Sequence, residues 1–238
     1  MTADLSVRGA RVRPGGAETL LEVALDSLDV APGGCVALTG PSGAGKTTLM
    51  ELLGLVRRPD ELGEYQLGGW DLTELARSGD IAARARLRAE TIAYVPQSGG
   101  VLPFLDARGN GLAGLDARGG FRSAAARERL EREARTLGVD AALGRRRAEL
   151  SGGERRRVGL LRALADPRTL TLADEPTSAL DPATADRVLA RLAEFAAETG
   201  GMVIIVTHDG DRARRHGFAM HDLRADASDG DLRRLVPV

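Results

Sequence analysis

Eight consecutive residues, Gly40-Pro41-Ser42-Gly43-Ala44-Gly45-Lys46-Thr47, carry the clearest chemistry in the chain. The spacing G-x-x-x-x-G-K-[ST] lets small residues turn the backbone so that successive N–H groups and the start of the following helix face one anion. Lys46 would reach the β- and γ-phosphates of a nucleotide, and the Thr47 hydroxyl would bind Mg²⁺. Of the 33 basic residues, all but Lys46 are arginine. A compact ammonium stands only where it would have to fit inside a phosphate cradle.

Four further groups stand in fixed order behind this loop. Gln97 follows a short apolar run, and Leu150-Ser151-Gly152-Gly153-Glu154 opens a helix. Asp174-Glu175 close a second apolar run, and His208 follows Val203 to Thr207. Adjacent acids at a strand end suit one metal-binding carboxylate and one general base. Ser151, Gly152 and Gly153 at a helix start offer exposed N–H groups and a favourable dipole, a second anion site. One phosphate loop already covers one face of a nucleotide, so the second site implies a second protein molecule.

The elements that must position these residues are legible as periodicity. Leu5 to Arg13 and Leu20 to Val30 alternate as strands around Pro14-Gly15-Gly16, which predicts a small antiparallel sheet. A strand from Cys35 to Thr39 delivers the loop, and Thr48 continues the helix after it. Strands at Glu64 to Leu67 and Trp70 to Leu72 flank a Gly68-Gly69 turn. Ile81 to Glu90 is helix-like and Thr91 to Val95 a strand. From Ser98 to Glu149 the composition turns to Ala, Arg, Glu, Leu and Gly, with strong helix propensity over Ser123 to Leu137. Ser151 and Glu154 have capping-box spacing for a helix to about Ala165. Thr169 to Ala173 and Met202 to Thr207 read as buried parallel strands around a helix from Pro182 to Thr199. The tail from Asp209 is polar and weakly patterned.

Composition narrows the class. At 238 residues the chain suits one domain, or one with an inserted subdomain. A formal charge of −1 argues against a basic nucleic-acid surface. The lone cysteine, Cys35, forms neither a disulfide within the chain nor a cysteine metal cluster, and reads as a small core residue. No apolar run approaches the ~18 residues of a membrane span, and the N-terminus does not read as a leader, so a cytoplasmic protein is expected.

Taken together, the five motifs resemble the ATP-binding subunit of ABC transporters, over about Leu5 to Asp209. The resemblance implies an α/β fold: a P-loop NTPase (RecA-like) core, an N-terminal antiparallel β-subdomain and an α-helical subdomain inserted at about 98–155, in one domain spanning 1–238. It implies that Gly40 to Thr48 hold ATP, that Thr47, Gln97 and Asp174 hold Mg²⁺, that Glu175 polarises the attacking water, and that Lys46 and His208 contact the γ-phosphate. Ser151, Gly152 and Gly153, with Asp181 in the Ser178-Ala179-Leu180-Asp181 loop, would meet the ATP of a second copy or a homologous subunit, head to tail. A membrane permease is the implied partner, at the cytoplasmic face of the plasma membrane, with no nucleic acid. The length and the Leu102-Pro103-Phe104 segment look most like the lipoprotein-releasing and macrolide-efflux type, an exporter; importer subunits share every motif, and non-transport ABC ATPases are the other class. Phe104 is expected to be exposed for the permease. The chain departs from the family pattern where an aromatic residue usually stacks on adenine: none precedes Tyr65, and Arg11 or Arg13 is the expected substitute. Arg155-Arg156-Arg157 stand where glutamines are common and read as a solvated or interface helix face.

Overall fold

In the computed structural model, which describes residues 4–15, 21–116 and 124–238, ten strands form one sheet in the order β5-β4-β1-β2-β10-β9-β3-β8-β7-β6. The strands are β1 Leu5–Val12, β2 Glu22–Val30, β3 Cys35–Thr39, β4 Glu64–Leu67, β5 Trp70–Asp71, β6 Ile92–Val95, β7 Leu170–Asp174, β8 Met202–Val206, β9 Ala219–Ala225 and β10 Leu232–Pro237. The helices are α1 Lys46–Leu53, α2 Thr73–Arg77, α3 Ile81–Thr91, α4 Ala107–Asp116, α5 Ala124–Thr136, α6 Gly152–Ala165, α7 Pro182–Thr199 and α8 Gly210–Arg215. Gly16, Leu20 and Ser123, predicted for a turn, a strand and a helix, lie outside the described residues.

The run β9-β3-β8-β7-β6 is parallel throughout. Every residue of β7 and β8 is buried, as helices on both faces of a parallel sheet require. One apolar core packs α1 and the antiparallel strands against one face; another packs α5, α6 and α7 against the opposite face. A buried ion pair joins α5 to α7: Arg191 donates to Glu133 through Nε (2.7 Å) and Nη2 (3.0 Å). Both side chains are withdrawn from water, and their charges are tolerated because they meet each other, with Glu198 also accepting from Arg191.

The tail corrects the sequence reading. Residues after Asp209 form α8, β9 and β10, and the two strands sit mid-sheet, where β10 pairs parallel with β2 and β9 parallel with β3. The N-terminal antiparallel strands are therefore continuous with the parallel core. Only Met220, Leu223 and Leu235 of these strands are buried apolar residues. Ladder hydrogen bonds and ion pairs of Arg234 with Asp26 and Asp226 do the rest, so hydrophobic periodicity carries little of their signal.

Candidate functional site

Strand register brings the motifs to one edge of the sheet. Leu38 and Asp174 both pair with Val206, and Val95 pairs with Ala173. Gly40, Glu175, His208 and Gln97 each follow those positions by one or two residues, so four loops leave the carboxyl edge side by side. Crevices at such edges are where open parallel sheets bind ligands.

The loop from Gly40 to Gly45 is shaped by contacts no side chain could share. A Cβ on Gly40 (φ 136°) would lie 2.8 Å from the Leu223 carbonyl oxygen, and one on Gly45 (φ 95°) 2.3 Å from a Val23 methyl. Gly45 caps α1 in the left-handed conformation, with no side chain accepting from the first turn. Those N–H donors remain available to an anion. Lys46 is 7% exposed, and its Nζ donates to Gly40 O and Pro41 O at 2.8 Å each. Burial lowers its pKa, opposed by the negative charges of Glu175, Asp174 and Asp222.

The two carboxylates beside it each engage different neighbours. Thr47 Oγ1 donates to Asp174 Oδ2 at 2.8 Å, and burial raises the Asp174 pKa. Glu175 lies at φ 50°, a strained backbone for a side chain of this kind, fixed by its N–H to Val206 O at 3.0 Å. Gln97 Nε2 donates to Glu175 Oε2 at 2.8 Å, and His208 Nε2 lies 2.8 Å from Oε1. With a carboxylate as its neighbour, Nε2 carries the imidazole proton. Ser42, Gly43, Gly45, Lys46, Thr47, Thr48, Gln97, Asp174, Glu175 and His208 all line one cavity of about 360 Å³; Gly40 and Pro41 contribute carbonyls and Ala44 is buried behind.

Ser151, Gly152, Gly153 and Asp181 do not line that cavity. Ser151 and Glu154 close the predicted capping box: Glu154 N donates to Ser151 Oγ at 3.2 Å and Ser151 N to Glu154 Oε2 at 2.8 Å. Asp181 caps α7, accepting from Thr184 N at 3.0 Å.

Metal-binding capacity follows from the donor set. Among the described residues no group of three or more His, Cys, Asp or Glu could hold an ion alone. The Thr47 hydroxyl and the Asp174 carboxylate are two hard oxygens beside the phosphate cradle. That suits Mg²⁺, which takes few protein oxygens and completes its shell from phosphates and water.

Residues 25–178 match the ABC transporter family. The chain belongs to that family. A lipoprotein-releasing system ATP-binding protein, LolD 2 of Caulobacter vibrioides, is 42% identical over 190 residues, 79% of either chain. LolD of Cereibacter sphaeroides is 42% identical over 86% of this chain and 88% of its own. The macrolide export ATP-binding/permease protein MacB of Syntrophobacter fumaroxidans is 40% identical over 77% of this chain, a match that spans 25% of that larger protein. The dimeric bacterial ABC transporter cassette MJ0796 superposes with a TM-score of 0.79 at 26% identity, and its dimeric post-hydrolysis state bound to ADP and Pi with 0.78 at 25%, each over 98% of both chains. This is an ABC ATPase with the P-loop NTPase fold and an ATP-binding subunit of the LolD and MacB kind.

Two sets of arginines in this ABC ATPase are more engaged than their sequence pattern implies. Arg11 and Arg13 are engaged with acids: Arg13 Nη2 lies 2.8 Å from Glu22, and Arg11 within 3.5 Å of Asp26 and 4.0 Å of Glu22. Pro14 and Leu21 line the cavity instead. Aliphatic residues there give no motif to search for. Arg155 to Arg157 are half-buried, so of the two readings, solvated or interface face, a simply solvated one does not describe them. Arg155 Nη1 donates to Leu150 O at 2.8 Å, and Arg156 to Gln97 O and Ser178 O. The contacts of Arg155 and Arg156 are silent in a charge pattern, because the acceptors are backbone carbonyls.

Proposed function

We propose that this subunit hydrolyses Mg²⁺–ATP as a head-to-tail dimer around two nucleotides, driving an export permease from the cytoplasmic face of the membrane, with Glu175 as the general base. The observation that carries the reading is the Glu175 carboxylate, held between Gln97 and His208 beside the Lys46 loop. Two of its roughly four lone-pair directions are engaged, and the others remain for a water proton. As that water oxygen bonds the γ-phosphorus, the bond to the bridging oxygen breaks and the proton passes to Glu175. Lys46 and the α1 N–H groups stabilise the negative charge on the departing and transferred oxygens. His208, whose Nε2 faces Glu175 Oε1, would turn that donor to the γ-phosphate of bound ATP and release Oε1 for the water proton. Mg²⁺, held by Thr47 and Asp174 with Gln97 nearby, would neutralise the β- and γ-oxygens.

The second nucleotide contact is assigned to Ser151, Gly152 and Gly153, with Asp181 in the loop crossing between subunits. That none of them lines the chain's own cavity supports a partner, a second copy or a homologous subunit, as does the dimeric form of the MJ0796 cassette. The permease partner rests on the LolD and MacB relatives and on exposed apolar surface. Phe104 is 71% exposed while Val101 is buried. A separate groove of about 350 Å³, lined among others by Arg86, Glu90 and Tyr94, opens between α3, β6 and α6. No helix of the described residues is long and apolar enough to cross a membrane, so attachment would come through that partner. Residues 98–155 are read as the helical subdomain that meets it, and no nucleic acid is involved.

Glu175→Gln is the deciding experiment. An amide still hydrogen-bonds water but takes no proton, so turnover should fall about a hundred- to ten-thousandfold while ATP binding persists. Size-exclusion chromatography with Mg²⁺–ATP should then show a stable dimer. Near wild-type turnover would move the base elsewhere, and a monomer at saturating ATP would refute the sandwich.

A further inference from the structure

Arg156 touches no part of the nucleotide cavity, yet it closes a ring of hydrogen bonds around the residue that does the chemistry. Its Nε donates to Gln97 O at 3.0 Å and its Nη1 to Ser178 O at 2.9 Å. The Gln97 side chain in turn donates to Glu175 Oε2 at 2.8 Å, and Ser178 N donates to Glu175 O at 3.2 Å. The planar guanidinium therefore fixes, in one rigid fork, the backbone on both sides of the catalytic carboxylate.

The backbone it grips is strained. Among the described residues three non-glycine positions have positive φ, and two of them, Glu175 (50°) and Ala179 (59°), flank Ser178 in this turn. Such conformations persist where surrounding contacts over-determine them. Arg156 also sits one turn into α6, five residues from Ser151, so a shift at the outward end of that helix reaches the Gln97 and Ser178 carbonyls directly.

We propose that Arg156 is a positioning residue that holds Gln97 and the Glu175–Ser178 turn in mutual register, and so links the outward end of α6 to the base of the chain's own site. The inference rests on Glu175 acting as base. A separate anchor keeps the Gln97 loop on α6 without it: a Cβ on Gly159 would lie 2.3 Å from Gly99 O, and Arg162 Nη1 donates to Gly100 O at 2.9 Å. Removing Arg156 should thus loosen one end of the loop and leave the fold intact.

Steady-state ATPase of the full chain, with ATP affinity and melting temperature on the same samples, tests this. Arg156→Gln should lower kcat about tenfold with KM within about twofold, the signature of misplacing a group that acts in the transition state. Arg156→Lys, whose ammonium keeps charge and stem but not the fork, should lose about threefold. On a Gln97→Ala background, Arg156→Gln should cost about threefold further rather than tenfold, because one of the two groups it positions is gone while the Glu175–Ser178 turn remains. A full tenfold loss on that background, a change in KM alone, or wild-type kcat in both single variants would overturn the proposal. Glu175→Gln assayed alongside separates the two claims: if it keeps turnover, the assignment of the base has failed, whatever Arg156 does.

Discussion

Two helices in this molecule begin at glycine-bearing turns suited to anions, and they differ in what their first-turn N–H groups already hold. The N-terminus of α1 has a left-handed Gly45 as cap, no side-chain acceptor and no acid in its first turn. The N-terminus of α6 has both: Ser151 accepts from Glu154 N, and the Glu154 carboxylate accepts from Ser151 N. Those Ser151 groups hold the Glu154 pKa below its ordinary value, backbone N–H first and hydroxyl second. A phosphate arriving at α1 meets unsatisfied donors and Lys46; one arriving at α6 meets a carboxylate already occupying the dipole's positive end. Nucleotide affinity within one chain should therefore lie with α1, while α6 acts on a nucleotide that something else is holding.

The sharpest way to break that contrast is at Lys46. Its Nζ sits 2.8 Å from two carbonyls in a nearly closed cradle, and a guanidinium is planar and wider than an ammonium. Lys46→Arg keeps the charge, so a purely electrostatic role predicts little change. Shape decides here: turnover should fall about a hundred- to a thousandfold, the scale of losing one charge-stabilising donor, with ATP affinity falling too. Wild-type activity in Lys46→Arg would mean the cradle accepts any cation, and the chain's use of arginine everywhere else would carry no information.

At α6 the corresponding change should be milder and of another kind. A Cβ on Gly153 would meet Arg157 Nη1 and a Leu180 methyl at 3.4 Å, ordinary contact, so Gly153→Ala should fold normally. The added methyl stands where a partner's phosphate would approach. Turnover should drop about tenfold, equivalent to about 1.4 kcal/mol, while ATP affinity of the single chain stays within about twofold. Loss of ATP affinity by the monomer would place Gly153 in the chain's own site and erase the distinction between the two helix ends.

The same contrast explains what sequence could reveal. Gly40 to Thr47 was legible because phosphate binding needs small residues at fixed spacing, and Asp174, Glu175, Gln97 and His208 because each ends or follows a strand whose apolar run is plain. The Ser151 capping box was legible for the same local reason. Arg156 was not, since its partners are carbonyls 59 and 22 residues away and any residue type supplies a carbonyl. Nor were β9 and β10, which join the two halves of the sheet with few apolar residues and several ion pairs. Arg191 and Glu133 hid equally well: two charges on separate helices read as solvated until packing buries them against each other.

The smallest expected effect concerns the base, where the α1 site itself is least selective. Recognition of adenine would need a ring to stack on or a polar group reading its edge. No Phe, Tyr or Trp precedes Tyr65, and Tyr65 is fully buried with its hydroxyl donating to Leu53 O. Arg13 is paired with Glu22, and Arg11 with Glu22 and Asp26, so neither guanidinium is disposed to lie over a base. Among the described residues, Pro14 and Leu21 line the cavity beside the phosphate loop, aliphatic surfaces that would contact adenine and guanine alike. An aromatic stack typically contributes ~1–3 kcal/mol, and an apolar face offers less without telling purines apart. ATP and GTP should then bind within about threefold of each other, read by competitive titration of the full chain, whereas Leu21→Tyr should tighten both by up to about tenfold. More than about tenfold preference for ATP in the unaltered chain would mean that Arg11 or Arg13 leaves its acid to stack. Glu22→Gln, which weakens the hold on both arginines, should in that case raise the preference, and if Pro14 and Leu21 alone face the base it should leave the ratio unchanged.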